Sequence, residues 1–138
     1  MNIAFFLTPK KEIVYESPSS TMRQVLERIE SSRYTAIPLV DSEGKYVGVI
    51  TEGDLLFEFK SNPKLTLSGT EMIKIENIKK KTTCTPVSIE AKIEDLITLA
   101  KNQNFVPVID DEGVFIGIIK RSDIINYCWK AINNGRYN

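Results

Sequence analysis

Residues 37–55 return as residues 106–124 at a constant offset of 69, the first copy reading IPLVDSEGKYVGVITEGDL and the second VPVIDDEGVFIGIIKRSDI. Seven of the nineteen positions are identical, and seven more exchange one aliphatic, β-branched or aromatic residue for another. A chain of 138 residues therefore holds two half-length copies of one unit. Each copy is too small to bury a core alone, so the two should pack against each other with pseudo-two-fold symmetry and a nearly symmetric groove.

The pattern around each copy supplies the elements. Met22, Val25, Leu26 and Ile29 fall at i, i+3, i+4 and i+7, as do Ile93, Leu96, Ile97 and Ala100, so an amphipathic helix with one buried stripe precedes each repeated segment. Thr21 and Gln24 read as a capping box for the first helix. The helices are offset by 71 and the later segments by 69, which places a two-residue loss between helix and strand in the second copy. Ile37-Pro38-Leu39-Val40 and Val106-Pro107-Val108-Ile109 suit a strand buried on both faces, with the proline, which has no N–H, at its start or edge. Residues 41–44 and 110–113 carry turn chemistry, and residues 45–51 and 114–120 are second strands. A helix follows from about Asp54 to Lys60 and from Asp123 to about Ile132, and residues 133–138 read as a frayed tail.

Upstream, Ile3 and Phe6 are echoed 72 residues later by Ile75 and Ile78, and short strands Ile13-Val14-Tyr15 and Val87-Ser88-Ile89 lead into the helices. Each repeat is then a β-α-β-β-α unit of an α/β, more strictly α+β, fold: residues 1–60 form repeat 1, 61–71 a connector and 72–138 repeat 2.

Bulk properties narrow the chemistry. Eighteen basic and eighteen acidic side chains cancel, which argues against DNA as a partner. The basic run Lys79-Lys80-Lys81 reads as a solvated turn rather than a phosphate site. The apolar stretch at residues 3–7 is far shorter than the roughly 20 residues of a membrane span and lacks a signal-peptide core, so the expected location is the cytoplasm, with no membrane partner. Cys84 and Cys128 have neither metal nor redox spacing and read as reduced thiols. Histidine is absent, which removes the commonest general base and metal ligand together; no enzyme, metal or cofactor is expected.

An apolar strand with an internal proline, then Asp, a turn glycine and Gly-x-x-Thr-x-x-Asp, resembles the cystathionine β-synthase (CBS) domain, and two in tandem resemble a Bateman module. The resemblance implies a non-catalytic sensor that binds adenine nucleotides in two clefts between the repeats. In the first copy, Gly48 to Asp54 match the motif in full: Asp54 can accept both hydroxyls of a ribose, and Thr51 and helix N-terminal amides can face phosphate. The plainer reading makes Asp54 a helix cap and Thr51 a strand-end residue. In the second copy Lys120 replaces the threonine; Asp123 can still hold a ribose, and Lys120 with Arg121 either meets phosphate or faces solvent.

The resemblance further implies that one cleft joins Ile119, Lys120, Arg121 and Asp123 to Val14, Tyr15, Tyr34, Thr35 and Ala36, and the other joins Thr51 and Asp54 to Thr85, Pro86, Asn104 and Phe105. Tyr34 or Tyr15 would stack on adenine, with small Ala36 leaving room. Tyr34 to Pro38, the shortened second helix-to-strand loop and the basic pair also resemble the small stand-alone CBS-pair proteins that bind cyclic di-AMP and engage a target enzyme such as a (p)ppGpp synthetase. The ligand stays open between cyclic di-AMP and AMP, ADP or ATP. A homodimer is expected, with residues 57–59 and 127–129 as either its interface or intramolecular core. The competing reading is a structural adaptor whose clefts stay unoccupied.

Overall fold

In the computed structural model the described residues are 2–137, with side chains described for residues 2–135. They form two compact units, Val14–Thr83 and Met1–Ile13 with Cys84–Asn138. These cuts do not follow the sequence repeats. Each unit takes the segment that leads into the other repeat: residues 1–13 join the second copy and residues 61–83 join the first.

In the unit Val14–Thr83, α1 (Met22–Ser31) begins at the capping box read from sequence, with Gln24 Oε1 accepting from the Thr21 N–H at 2.8 Å and Thr21 Oγ1 from the Gln24 N–H at 3.2 Å. Antiparallel β2 (Ala36–Val40) and β3 (Tyr46–Thr51) make the hairpin, and α2 (Glu52–Ser61) follows without a break. The hairpin turn is built by Asp41, whose Oδ1 accepts from the Glu43 and Lys45 N–H groups, and by Gly44 at φ 82°. Met22, Val25, Ile37, Leu39, Ile50 and Leu55 form the core, completed by Ile75 and Ile78 from the borrowed segment. Each fully buried aliphatic side chain contributes on the order of 1.5–3 kcal/mol, so the borrowed pair is a substantial part of the unit's stability. Residues 61–71 are mostly exposed, but Leu65 lies against this core and Thr70 is fully buried.

In the other unit, β4 (Val87–Ser88) runs parallel to β5 (Phe105–Ile109), which pairs with β6 (Phe115–Lys120), and β1 (Thr8–Pro9) closes the far edge, giving the order β1-β6-β5-β4. α3 (Ile93–Ala100) and α4 (Arg121–Tyr137) complete it, over a core of Ile3, Leu96, Val106, Val108, Ile119 and Ile124. Gly117 is required here: its φ is +156°, and a Cβ would meet the Thr8 carbonyl oxygen at 2.3 Å.

Several expectations are corrected. Pro38 and Pro107 sit third in five-residue strands, not at their ends. Pro38 is tolerated there because its carbonyl takes the bond from the Glu16 N–H while the next donor used on that side is Val40 N–H. The strand expected at Ile13-Val14-Tyr15 is only a single parallel bridge, Glu16 to Leu39. The two residues missing from the second copy come out of the helix: α1 has ten residues and α3 eight, while residues 32–35 and 101–104 form connections of equal length. Ile97 is 38% exposed, and Leu99 packs on the core instead. Both late helices start earlier than expected, and α4 continues through residues 133–137 instead of fraying; position 138 lies outside the described residues. Of the aromatics considered for an interface, Phe59 packs on its core and Tyr127 packs edge-on to Phe6 at 5.3 Å, whereas Trp129 is 60% exposed.

Candidate functional site

The Gly-x-x-Thr-x-x-Asp segment lies at the β3-to-α2 junction, where a helix N-terminus leaves amides without intrahelical partners. Thr51 and Asp54 use them on each other. Asp54 Oδ2 accepts from the Thr51 N–H at 3.0 Å, and Thr51 Oγ1 accepts from the Asp54 N–H at 3.1 Å. The second carboxylate oxygen, Oδ1, accepts from the Lys81 N–H at 3.0 Å. Asp54 is 2% exposed, so in this arrangement it is the helix cap of the plainer reading and presents no oxygen to a ribose. Beside it the Lys81 ammonium lies 3.4 Å from the centroid of the Phe57 ring. Lys80 is likewise engaged, its Nζ donating to the Ile75 and Ile78 carbonyls at 2.6 and 2.9 Å, and partial burial holds its pKa below the ordinary lysine value despite nearby Asp54 and Glu76. The basic run is exposed at Lys79 and Lys81, as expected of a solvated turn, but Lys80 is half-buried and Lys81 is tied to Asp54 and Phe57.

At the β6-to-α4 junction the chemistry differs. Lysine has no acceptor, so Lys120 cannot close the reciprocal cap that Thr51 closes. Asp123, in the first turn of α4, is half-buried, and its carboxylate has no partner among the described residues. It opens into a pocket of about 530 Å³ lined by Phe5, Phe6, Leu7, Thr8, Asp123, Asn126, Tyr127 and Lys130. That volume is in the range of small-ligand sites. A free carboxylate, an amide and an ammonium thus share one face of α4, opposite apolar and aromatic side chains. A ring can pack on the aromatic side, vicinal hydroxyls can donate to Asp123 and an anionic group can meet Lys130.

Within each unit the expected site residues fall as follows. Ala36 pairs with Thr51 across the hairpin, and the Thr35 carbonyl accepts from the Glu52 N–H at 3.0 Å. Tyr34 and Val14 are partly buried against the core, and Tyr15 is half-buried. In the other unit Phe105 pairs with Lys120, and the Asn104 carbonyl accepts from the Arg121 N–H at 3.0 Å. Arg121 is not simply a free cation: its Nε donates to the Gln103 carbonyl at 2.9 Å. Lys120 is exposed, Ile119 is core, and Pro86 is half-buried. Thr85 is held by the Gln103 amide, which accepts from its N–H at 2.8 Å and donates to its carbonyl at 3.1 Å. Lys81, expected only in a solvated turn, Gln103, and the pocket residues Asn126 and Lys130 were not among the expected site residues. The i, i+3, i+4, i+7 spacing of Asp123, Asn126, Tyr127 and Lys130 was the available signal for the last group.

Among the described residues no cluster of His, Cys, Asp and Glu could hold a metal ion, and no helix is long and apolar enough to cross a membrane. Cys84 and Cys128 are not joined in a disulfide.

Comparison with known proteins bears on both halves. The CBS domain family matches residues 6–61 and 77–130. A CBS domain protein from Streptococcus pneumoniae TIGR4 superposes with a TM-score of 0.80 at 26% identity, covering 98% of this chain and 88% of that one. CBSX2 in complex with AMP superposes at 0.72 with 25% identity, covering 94% and 97%. CbpB in complex with c-di-AMP superposes at 0.81 with 22% identity, covering 99% and 89%, a likeness of fold. The chain spans between about a fifth and two thirds of the length of the first curated relatives it matches. Two of these are enzymes, among them inosine-5'-monophosphate dehydrogenase of Methanocaldococcus jannaschii, 28% identical over 83% of this chain and 21% of its own length.

Proposed function

Because the chain belongs to the CBS-domain family and carries two CBS domains in tandem, we propose that it is a non-catalytic regulatory sensor of adenine nucleotides, with Asp123 as the ribose acceptor. One observation carries this reading: an unpartnered carboxylate that opens into an aromatic-lined pocket of about 530 Å³ at the motif's second copy. AMP in the CBSX2 complex and c-di-AMP in the CbpB complex make adenine nucleotides the ligand class to test. Lys130 is the candidate phosphate contact in this pocket, and Lys120, three residues before Asp123, is exposed. Binding would act by population shift, favouring whichever conformation contacts the ligand best and thereby changing the surface offered to a partner protein.

Calorimetric titration with AMP, ADP, ATP and cyclic di-AMP tests the reading. At least one should bind, and Asp123→Ala should weaken that ligand roughly 10- to 100-fold, the effect of losing a hydrogen bond to a charged group. No binding to any of the four at high micromolar concentration refutes it. The structural-adaptor alternative draws on Asp54, whose carboxylate serves the fold, and it requires that Asp123→Ala leave partner engagement unchanged with and without nucleotide.

Assembly as a homodimer is part of the same proposal. Ile125, Trp129 and Ile132 stand 56%, 60% and 56% exposed at i, i+4 and i+7 on α4, an apolar stripe suited to a matching helix on a second copy.

A further inference from the structure

The two copies of the motif keep the same aspartate, yet one carboxylate is shut away and the other is open. Thr51 against Lys120 accounts for the cap that holds Oδ2 of Asp54, but no motif residue accounts for its Oδ1. The difference comes from the segment that passes each aspartate. At the 72-residue offset that relates Ile75 and Ile78 to Ile3 and Phe6, Lys81 corresponds to Pro9. Lys81 has an N–H and gives it to Asp54. Pro9 has none; it is drawn instead into β1, paired with Gly117, and Asp123 stays unpartnered.

We infer that residues 79–83 are a strap, latched by Lys81, that keeps the Asp54 half-site closed and limits the chain to one bound adenosine monophosphate, at Asp123. Three contacts build the latch. The Lys81 N–H holds Oδ1 of Asp54 while the cap holds Oδ2. The Lys81 ammonium covers Phe57, the position in the first copy that corresponds to Asn126 of the open pocket. The neighbouring Lys80 ammonium is tied to two carbonyls, which fixes where the strap starts. Lys81, Thr82 and Thr83 are themselves exposed and belong to no helix or strand, so the strap can leave without breaking the core. Nucleotide arriving at Asp54 must therefore displace Lys81, whereas nucleotide arriving at Asp123 displaces no protein contact.

The inference rests on the nucleotide reading above, and the test separates the two. AMP is the probe because one adenine counts one site. Equilibrium dialysis of the full chain should give one AMP per wild-type chain, weakened roughly 10- to 100-fold by Asp123→Ala, and two per chain for Lys81→Pro, which lacks both the latch N–H and the ammonium. Lys81→Ala, which keeps the N–H, should remain at one tight site if Lys81→Pro fails to fold. Amide hydrogen exchange on ligand-free protein reads the latch without nucleotide: the Lys81 amide should exchange at least tenfold more slowly than that of Thr82. Two AMP in the wild type, one AMP in a folded Lys81→Pro, or an unprotected Lys81 amide each overturns the strap. Slow exchange at Lys81 with no AMP bound by the wild type would keep the latch and overturn the one-site limit, and it refutes the nucleotide reading when ADP, ATP and cyclic di-AMP also fail to bind.

Discussion

Removing the Asp123 carboxylate takes away no hydrogen bond among the described residues, so Asp123→Ala should leave stability within about 0.5 kcal/mol of wild type while weakening nucleotide binding roughly 10- to 100-fold. Asp54→Ala should do the reverse. It orphans the Thr51 and Lys81 amides and is expected to cost about 2–3 kcal/mol, read as a lower urea midpoint at unchanged slope. Equal losses of stability in the two variants would contradict the assignment of one aspartate to the fold and the other to the ligand. The repeated glycines divide in the same way. Gly117→Ala drives a Cβ into the Thr8 carbonyl and should cost about 2–4 kcal/mol. Gly48, also at positive φ but with open space around it, should cost only the strain of about 1–2 kcal/mol. Both glycines were legible as members of a repeat, but the close approach of β1 to just one of them was not, because it depends on a segment more than a hundred residues away in sequence.

At the scale of elements, helix caps and hairpin turns could be read directly, since their bonds span three or four residues: the Thr21 box and the Asp41 and Asp110 turns appear as expected. What misled were the elements whose limits depend on tertiary packing. Periodicity allowed Ile97 a place in the buried stripe of α3, but the shorter helix turns Leu99 to the core instead. The lead-in strand of the first copy shrank to one bridge because only Glu16 reaches β2. The cap at α4 yields a prediction. Lys120→Thr supplies the missing acceptor and should stabilise the chain by about 0.5–1 kcal/mol. It should also draw Asp123 into a cap like that of Asp54 and weaken AMP binding, and stabilisation with unchanged affinity would separate the cap from the site.

For the molecule as a whole, the apolar stripe of α4 sets the assembly prediction: Trp129→Glu should convert a dimer to a monomer in light scattering after size exclusion while leaving the urea midpoint of the monomer nearly unchanged. A wild type that is monomeric at tens of micromolar removes the proposal. The sequence by itself determined the family, the duplicated strand-turn-strand-helix order and the position of both motif aspartates, because these follow from local periodicity and from an internal comparison of the chain with itself. Only the tertiary structure decided that each compact unit borrows the segment leading into the other repeat, and with it which aspartate stays open. Hydrogen-bond satisfaction is the physical reason. A carboxylate's availability depends on whether a donor passes within about 3 Å of it, and a lysine amide passes Asp54 while the corresponding proline has none to offer Asp123.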